Sequence, residues 1–177
     1  MASTVLEVIQ QVMVEIGLSK PNEAVASPDL TTLQFVALLN SAGNELVVGN
    51  DWNELIKEFT FTTLDGIDSY DLPSDYSSYI DQTVWDRTNR WQVLGVKSSQ
   101  EWEWMVSGVL STGPHTRFRI NGGKFQIFPT PGTLGGTIGA TIAMEYVGNG
   151  WLQDASLANT YYSTAQNDSD IVLLDDW

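Results

Sequence analysis

The sequence contains no cysteine, and this absence excludes disulfide bonds, thiolate nucleophiles and zinc–thiolate centres. His115 is the only histidine, and its place in the turn sequence Gly-Pro-His-Thr predicts a surface loop position instead of a catalytic one. No apolar run approaches the ~20 residues of a membrane-spanning helix. The first residues also lack the basic and apolar regions of a signal peptide. The sequence therefore predicts a soluble protein made without a signal peptide and with no membrane partner.

The carboxylate-rich motifs do not form a recognisable catalytic or metal site. Glu101 and Glu103 flank a tryptophan, and residues two apart on a helix point in different directions, so a paired acid/base role is disfavoured. The motifs at 65–68 and 168–170 each carry two aspartates, but neither has the ligand series and distal glutamate of a calcium loop. We therefore predict that the protein is not an enzyme and needs no metal or cofactor.

Positive charge is scarce and unevenly placed. The chain has 8 Lys and Arg against 22 Asp and Glu, a net charge of −14, which disfavours binding to nucleic acid or anionic membranes. Six of the bases and only two acids lie between 87 and 124, so this segment carries +4 and the remainder −18. The segment is either a face that meets an acidic partner or a chance cluster on a solubilising surface.

A first helix is predicted over residues 4–16. Its apolar residues recur at the spacing of one helical face: Val5, Ile9, Val12 and Ile16. Thr4 and Glu7 have the spacing of a capping box, and Gly17 is placed as a C-terminal stop.

A second helix is predicted from about residue 31 to 47, with Thr31 and Gln34 as its cap. Its apolar stripe contains Gly43, and glycine inside a helix costs about 1 kcal/mol relative to alanine. We therefore expect Gly43 to pack closely against a neighbouring element.

Residues 54–147 have the alternation of an antiparallel β region. The predicted strands lie around 58–62, 80–85, 91–96, 118–120, 125–128 and 137–147. Asn-Gly-Gly at 121–123 is a hairpin turn signal. A short helix is predicted over 98–106, with Ser98 and Glu101 as its capping box.

From residue 148 the pattern predicts an extended C-terminal arm. Residues 155–169 are small and polar, with Tyr161 and Tyr162 among them. A helix is predicted from Ile171, capped by the preceding Ser-Asp, but a helix this short is marginal in water. We infer that either a partner stabilises this terminus or the chain is truncated there.

These patterns predict an α+β protein with three parts. Two helices occupy 1–53, and an antiparallel β region with one short helix occupies 54–147. The extended C-terminal arm, 148–177, is expected to dock to a partner.

Two motifs give the chain a family resemblance. Tyr-Asp-Leu-Pro-Ser-Asp-Tyr at 70–76 and Arg-Phe-Arg-Ile-Asn-Gly-Gly-Lys-Phe-Gln-Ile-Phe-Pro-Thr-Pro at 117–131 follow the two helices and precede Asp-Ser-Asp at 168–170. In this order and spacing the chain resembles, over most of its length, the head-to-tail adaptor proteins of tailed bacteriophages, especially short-tailed ones (tail tubular protein A-like proteins, or connectors).

The resemblance implies an N-terminal α-helical core (1–53) with an antiparallel β-sandwich or barrel insertion domain (54–147). It also implies a structural virion protein of the tail or neck, made in the host cytoplasm. It implies a ring, usually of twelve subunits, between the portal protein and the tail nozzle or tube, through which double-stranded DNA passes without specific binding. We expect some of the acids to line this ejection channel. Family members commonly continue beyond Asp-x-Asp with long helices, whereas this chain stops at Trp177, so the element that docks to the portal stays open.

Two groups of residues are candidate contacts with partners or neighbouring subunits. They are Tyr161, Tyr162 and Trp177 in the arm, and Arg117, Arg119 and Lys124 in the hairpin. Tryptophans of the β region are further interface candidates, although core packing is the default for each. Deleting residues 155–177 is expected to abolish incorporation into particles while the monomer stays folded.

A β-sandwich tail-fibre or carbohydrate-binding module is the alternative, because exposed tryptophans stack on sugar rings. The two amphipathic helices at the N-terminus argue against it, since such modules are usually all-β. A small enzyme is disfavoured further, because it would need a pocket built without cysteine and with one loop histidine.

Overall fold

The computed structural model describes residues 3–49, 52–96, 98–107, 116–133, 135–156 and 159–174. Within these ranges the chain is mixed α+β, with three α-helices and several mainly antiparallel sheets, so the predicted class is confirmed at this level. The helices are α1 (Val5–Glu15), α2 (Leu30–Gly49) and α3 (Ser99–Ser107). The strands are β1 (Ile56–Thr62), β2 (Ser69–Asp71), β3 (Tyr76–Tyr79), β4 (Trp85–Asp86), β5 (Trp91–Gln92), β6 (Leu94–Gly95), β7 (Arg117–Asn121), β8 (Lys124–Phe128), β9 (Thr141–Gly148), β10 (Leu152–Gln153), β11 (Tyr161–Tyr162) and β12 (Ile171–Val172).

The chain divides into two compact units. The terminal unit contains Met1–Ile56 and Val147–Trp177, and the central unit contains Lys57–Tyr146. The limits at 53/54 and 147/148 stay predictions as domain boundaries.

Helix α1 begins where the capping signal predicts. Oγ1 of Thr4 accepts a hydrogen bond from the Glu7 N–H at 3.3 Å, and Oε2 of Glu7 accepts one from the Thr4 N–H at 2.9 Å, which confirms the capping box. The buried face consists of Val5, Ile9 and Met13. The predicted buried face is therefore wrong at Val12 and Ile16, which are exposed. The buried residues are instead spaced four apart, so Met13 takes the place predicted for Val12.

Helix α2 is longer than predicted and has a different cap. The N–H and the hydroxyl of Thr32 both donate to Oδ2 of Asp29 at 2.9 Å. The predicted cap of Thr31 and Gln34 is wrong, because α2 already begins at Leu30 and both residues lie inside it.

The prediction that Gly43 packs closely is confirmed. A Cβ at Gly43 would lie 2.7 Å from Cδ2 of Trp151 and closer still to two other atoms of that ring. Trp151 is only 1% exposed. Its Nε1–H is directed at Oδ1 of Asn44 (3.2 Å) and at the Ser163 carbonyl (3.1 Å), which fixes the indole against α2.

The C-terminal segment of the terminal unit forms a three-stranded sheet in the order β11-β10-β12. Both outer strands are antiparallel to β10, which pairs Leu152 with Tyr162 and with Val172. The helix predicted from Ile171 is therefore wrong, because this segment is a strand with β10 as its partner. Ile171 also bridges to Thr4, so the described part of the predicted extended arm folds back onto the N-terminal segment.

Asp168 and Asp170 hold this arrangement together. The Asp168 carboxylate accepts from the N–H groups of Ala24 (3.1 Å) and Val25 (2.7 Å). Oδ2 of the fully buried Asp170 accepts from the backbone N–H groups of two residues that precede it, at 2.8 Å each. The Asp-x-Asp motif thus ties loops together, and no cap for a following helix is formed.

The central unit contains two sheets that share one core. The five-stranded sheet has the order β1-β9-β4-β5, with β3 also paired to β9, and the four-stranded sheet has the order β2-β8-β7-β6. The core takes side chains from both sheets: Val84, Val93, Phe118, Phe125, Ile127, Ala140, Ile142, Met144 and Tyr146. Phe125 stacks on Phe118 at 4.9 Å and meets the ring of Phe61 edge-on at 5.2 Å, which joins the two sheets.

Two predictions made from short sequence motifs in the central unit, a hairpin and a short helix, are confirmed. The predicted hairpin is confirmed as β7–β8, with Gly122 and Gly123 both at positive φ in its turn. The short helix is confirmed as α3, where Ser98 Oγ accepts from the Glu101 N–H at 3.1 Å.

The continuous strands predicted over 80–85 and 91–96 are wrong. Gln82, in the gap between β3 and β4, has a φ of +65° and interrupts the pairing that both strands make with β9, and the second region splits into β5 and β6. In the gap the Thr83 hydroxyl donates to the Ile80 carbonyl (2.6 Å) and accepts from the Glu145 N–H (3.2 Å). The Thr83 side chain therefore supplies hydrogen bonds that backbone groups would make in a regular β-ladder.

Candidate interaction surfaces

The β7–β8 hairpin carries the three basic candidates on one face. Arg117 and Arg119 are two residues apart on β7, and Lys124 pairs with Asn121, so all three lie on the side opposite the buried Phe118. The structure therefore brings the three sequence-predicted bases together on the outward face of the hairpin.

Arg119 is occupied by contacts within its own unit. Its Nε–H donates to Oε1 of Gln126 at 2.6 Å, and its guanidinium lies 4.4 Å from the ring centre of Trp102. One guanidinium nitrogen is also 4.0 Å from a Glu103 oxygen. Arg119 thus holds α3 against the hairpin, a role that the sequence does not reveal because it depends on how two successive elements pack together.

The other two bases are more available to a partner. Lys124 pairs with Asp71 across β8 and β2 at 2.8 Å, but both side chains are exposed, and such pairs contribute only about 0–1 kcal/mol. Arg117 is half-buried and forms no ion pair with any described residue.

The tyrosine candidates lie in a sheet instead of an irregular arm. Tyr161 and Tyr162 form β11, and both are half-buried. The Tyr162 hydroxyl donates to Oδ2 of Asp154 at 3.2 Å, and the Tyr161 Cβ lies against Gly150. Trp177 lies outside the described residues, and so does His115, for which the sequence predicts a surface loop position.

The tryptophans of the β region divide between core and surface. Trp102 is buried and Trp91 half-buried, in line with core packing, whereas Trp85 and Trp104 are exposed. An exposed indole is a large apolar surface, so the last two remain interface candidates.

Helix α2 presents an apolar surface that sequence reasoning did not single out. Leu30, Leu38 and Val48 are all strongly exposed, with Val48 at 82%. Glu45 is the only charged residue in this 20-residue helix. Surface helices normally carry a charged outer face, so this composition is typical of a helix that another chain covers. The presence of only one charged residue in 20 was the signal available in the sequence.

The described residues contain no group of three or more His, Asp or Glu side chains placed to hold a metal ion. In the same part of the chain, no helix combines the length and apolarity that a membrane span requires.

A mixed α+β subunit with exposed apolar helix surface has the features of a structural component of an assembly. The chain belongs to the SU10 adaptor protein family, whose profile matches residues 3–174, nearly its whole length. Membership indicates a phage structural adaptor of the virion neck or tail, confirms the predicted class, and implies interactions in the phage neck. No curated protein matches the chain.

Proposed function

We propose that the protein forms a closed ring of twelve subunits between the portal and the tail nozzle or tube of a short-tailed phage. Its membership in the SU10 adaptor protein family over residues 3–174 is the observation that carries this proposal. The exposed apolar residues of α2 support it, because a ring contact would remove them from water.

Contact between subunits would draw on these apolar side chains. Burying a leucine or valine side chain contributes about 1.5–3 kcal/mol, so two of them amount to a factor of roughly 100 or more in association. Leu38 and Val48 are suitable probes, since their exposure means that the folded monomer does not depend on them.

The channel of such a ring would be acidic on part of its wall. Each subunit carries a net charge of −14, so a lumen lined by some of its carboxylates would repel the DNA phosphates. At physiological salt this repulsion acts within a Debye length of about 8 Å, which keeps DNA from adhering while it passes.

Contacts with the portal and tail would use the remaining candidates. The outward face of the β7–β8 hairpin, with Arg117 and Lys124 most available, would meet an acidic surface of a tail or neighbouring protein. Tyr161, Tyr162 and Trp177 would contact a partner at the terminal unit.

The test is the assembly state of the purified protein and of particles. We expect rings by electron microscopy, and we expect Leu38→Lys with Val48→Lys to weaken association about 100-fold or more. Ser19→Lys with Asn22→Lys is the matched control, because both residues are exposed polar positions of the same unit outside α2. A wild-type protein absent from the neck of particles would contradict the proposal, and a neutral or basic channel wall would contradict the acidic lumen.

Truncation is not a suitable test here. Removing residues 155–177 would delete β11 and β12, the pairing partners of β10, together with the Asp168 contacts to the N-terminal segment. We therefore expect such a deletion to destabilise the folded monomer as well as to remove the candidate contacts, so point substitutions are the better test.

A further inference from the structure

The chain contains two Asn-Gly sequences, Asn121-Gly122 and Asn149-Gly150. In this dipeptide the backbone nitrogen of the glycine can attack the side-chain amide of the asparagine, because glycine has no Cβ to shield that nitrogen. The reaction needs an accessible amide, room around the glycine and a backbone that can turn. The structure gives the two sequences opposite surroundings, so their reactivity can be compared within one molecule.

Asn121-Gly122 lies at the tip of the β7–β8 hairpin, where residues 121–124 are all exposed. Gly122 and Gly123 have φ angles of +60° and +73°, and no atom lies within 4 Å of a Cβ at either position. Neither the Asn121 side chain nor the Gly122 N–H forms a hydrogen bond with a described residue. Both reacting groups are therefore accessible to water and are not held by a competing contact in the described part of the chain.

The hairpin tip is also a place where the backbone opens easily. Asn121 pairs with Lys124, and this pair is the last rung of the β7–β8 ladder, next to the turn. Loop tips and the ends of elements open at free energies far below that of global unfolding. The rotation that brings the Asn121 side chain to the Gly122 nitrogen therefore requires the opening of this rung and not of the whole sheet.

Asn149-Gly150, in the connection between β9 and β10, is enclosed. Asn149 is half-buried and Gly150 is buried. A Cβ at Gly150 would lie 2.6 Å from the Cβ of Tyr161, and the next residue, Trp151, is only 1% exposed. A backbone rotation at this position must disturb the packing of β10 and β11, so the fold suppresses here the reaction that it permits at the hairpin tip.

We propose that Asn121 is a site of spontaneous deamidation, with water as the co-reactant. The deprotonated Gly122 nitrogen attacks Cγ of Asn121, the bond between Cγ and Nδ2 breaks, and Nδ2 leaves as ammonia. The product is a succinimide ring that contains both residues. Water then opens the ring at one of its two carbonyls. Opening at Cγ leaves aspartate, and opening at the backbone carbonyl leaves isoaspartate with the chain running through Cγ.

The modification changes the charge of the outward face of the hairpin. Residue 121 lies opposite Lys124 and on the same face as Arg117 and Arg119. Directly opposite residues have their Cβ atoms about 4.5–5.5 Å apart, so a carboxylate at 121 competes with Asp71 for the Lys124 ammonium. The face then presents less positive charge, which weakens its attraction for an acidic partner.

The test is peptide mass spectrometry of the folded protein, incubated at mildly acidic and at mildly alkaline pH and then digested briefly with chymotrypsin. Cleavage after aromatic residues releases residues 119–125 and 147–151, each with one Asn-Gly sequence. We expect residue 121 to deamidate about tenfold or more faster than residue 149, which corresponds to about 1.4 kcal/mol of additional opening free energy at the enclosed site. The rate should rise with pH, because the attacking nitrogen must lose its proton.

Two controls show whether the fold selects the site. In urea both sequences should deamidate at similar rates, because unfolding removes the enclosure of Asn149. Asn121→Gln should abolish modification at this position, since glutamine would have to close a larger and more slowly formed ring, and should leave the rate at Asn149 unchanged. Equal rates at the two sites of the folded protein would overturn the proposal. So would an Asn121 that stays unmodified in the folded protein under conditions that deamidate it in urea.

Discussion

Replacing Gly43 with alanine tests whether contact with Trp151 explains a glycine inside α2. By helix propensity alone the change stabilises the protein by about 1 kcal/mol. The added Cβ, however, would lie 2.7 Å from Cδ2 of Trp151 and closer to two other ring atoms, so the buried indole must move. Overpacking costs about 1–3 kcal/mol, and a buried N–H that loses its acceptors costs about 1–3 kcal/mol more. We expect a net loss of about 1–5 kcal/mol.

The assay is urea unfolding followed by circular dichroism, at several protein concentrations because self-association adds to apparent stability. Gly49→Ala is the control, since no atom lies within 4 Å of a Cβ at that position of the same helix, and it is expected to be neutral or stabilising by up to about 1 kcal/mol. Gly43→Ala combined with Trp151→Phe should cost less than the sum of the two single changes. A Gly43→Ala protein as stable as the wild type would refute the packing argument.

Two further predictions concern local contacts. Thr4→Ala removes the cap of α1 and should lower the free energy of unfolding by about 1 kcal/mol, whereas Thr31→Ala, inside α2, should change it little. Burial raises the pKa of Asp75, but hydrogen bonds from Lys57 and Tyr146 outweigh this and lower the pKa below its ordinary value. The resulting stability is present above the unfolded-state pKa of about 4 and is lost as the pH falls through the folded-state pKa. Asp75→Asn should therefore destabilise the protein at neutral pH and weaken the pH dependence of its unfolding below about pH 4. If stability fell with pH below about pH 4 as steeply in the variant as in the wild type, Asp75 would not be the group responsible.

The features predicted correctly from the sequence are those that neighbouring residues determine. The box of Thr4 and Glu7 and the paired glycines of the β7–β8 turn satisfy backbone groups within four residues, so the sequence contains the whole interaction. Gly43 shows that an unfavourable residue can also be informative, because its helix-propensity cost pointed to a close neighbour although it did not identify Trp151.

The wrong predictions depend on partners far along the chain. Ile171 begins an apolar run that is compatible with either a helix or a strand. Pairing with β10, about twenty residues earlier, makes it a strand. The break at Gln82 likewise depends on Thr83 bonding to Glu145 on β9, which no local pattern shows. Strand alternation predicts which face of the hairpin points outward. It does not predict that the Arg119 guanidinium lies against the Trp102 ring and donates a hydrogen bond to Gln126.

The charge pattern has a different meaning once the ion pairs are known. Between 87 and 124 the sequence carries +4, which suggests a broad basic face. Three of the bases in that segment are paired with carboxylates of the central unit: Arg87 with Glu58, Arg119 with Glu103, and Lys124 with Asp71. The described bases of the segment without an ion pair are Arg90 and Arg117, on different sheets. Two separated cations on a chain of net charge −14 cannot attract an acidic partner from beyond a Debye length of about 8 Å. Their effect is confined to direct contact, where each selects the position of a neighbouring carboxylate, and this favours a specific docking site over a general basic face.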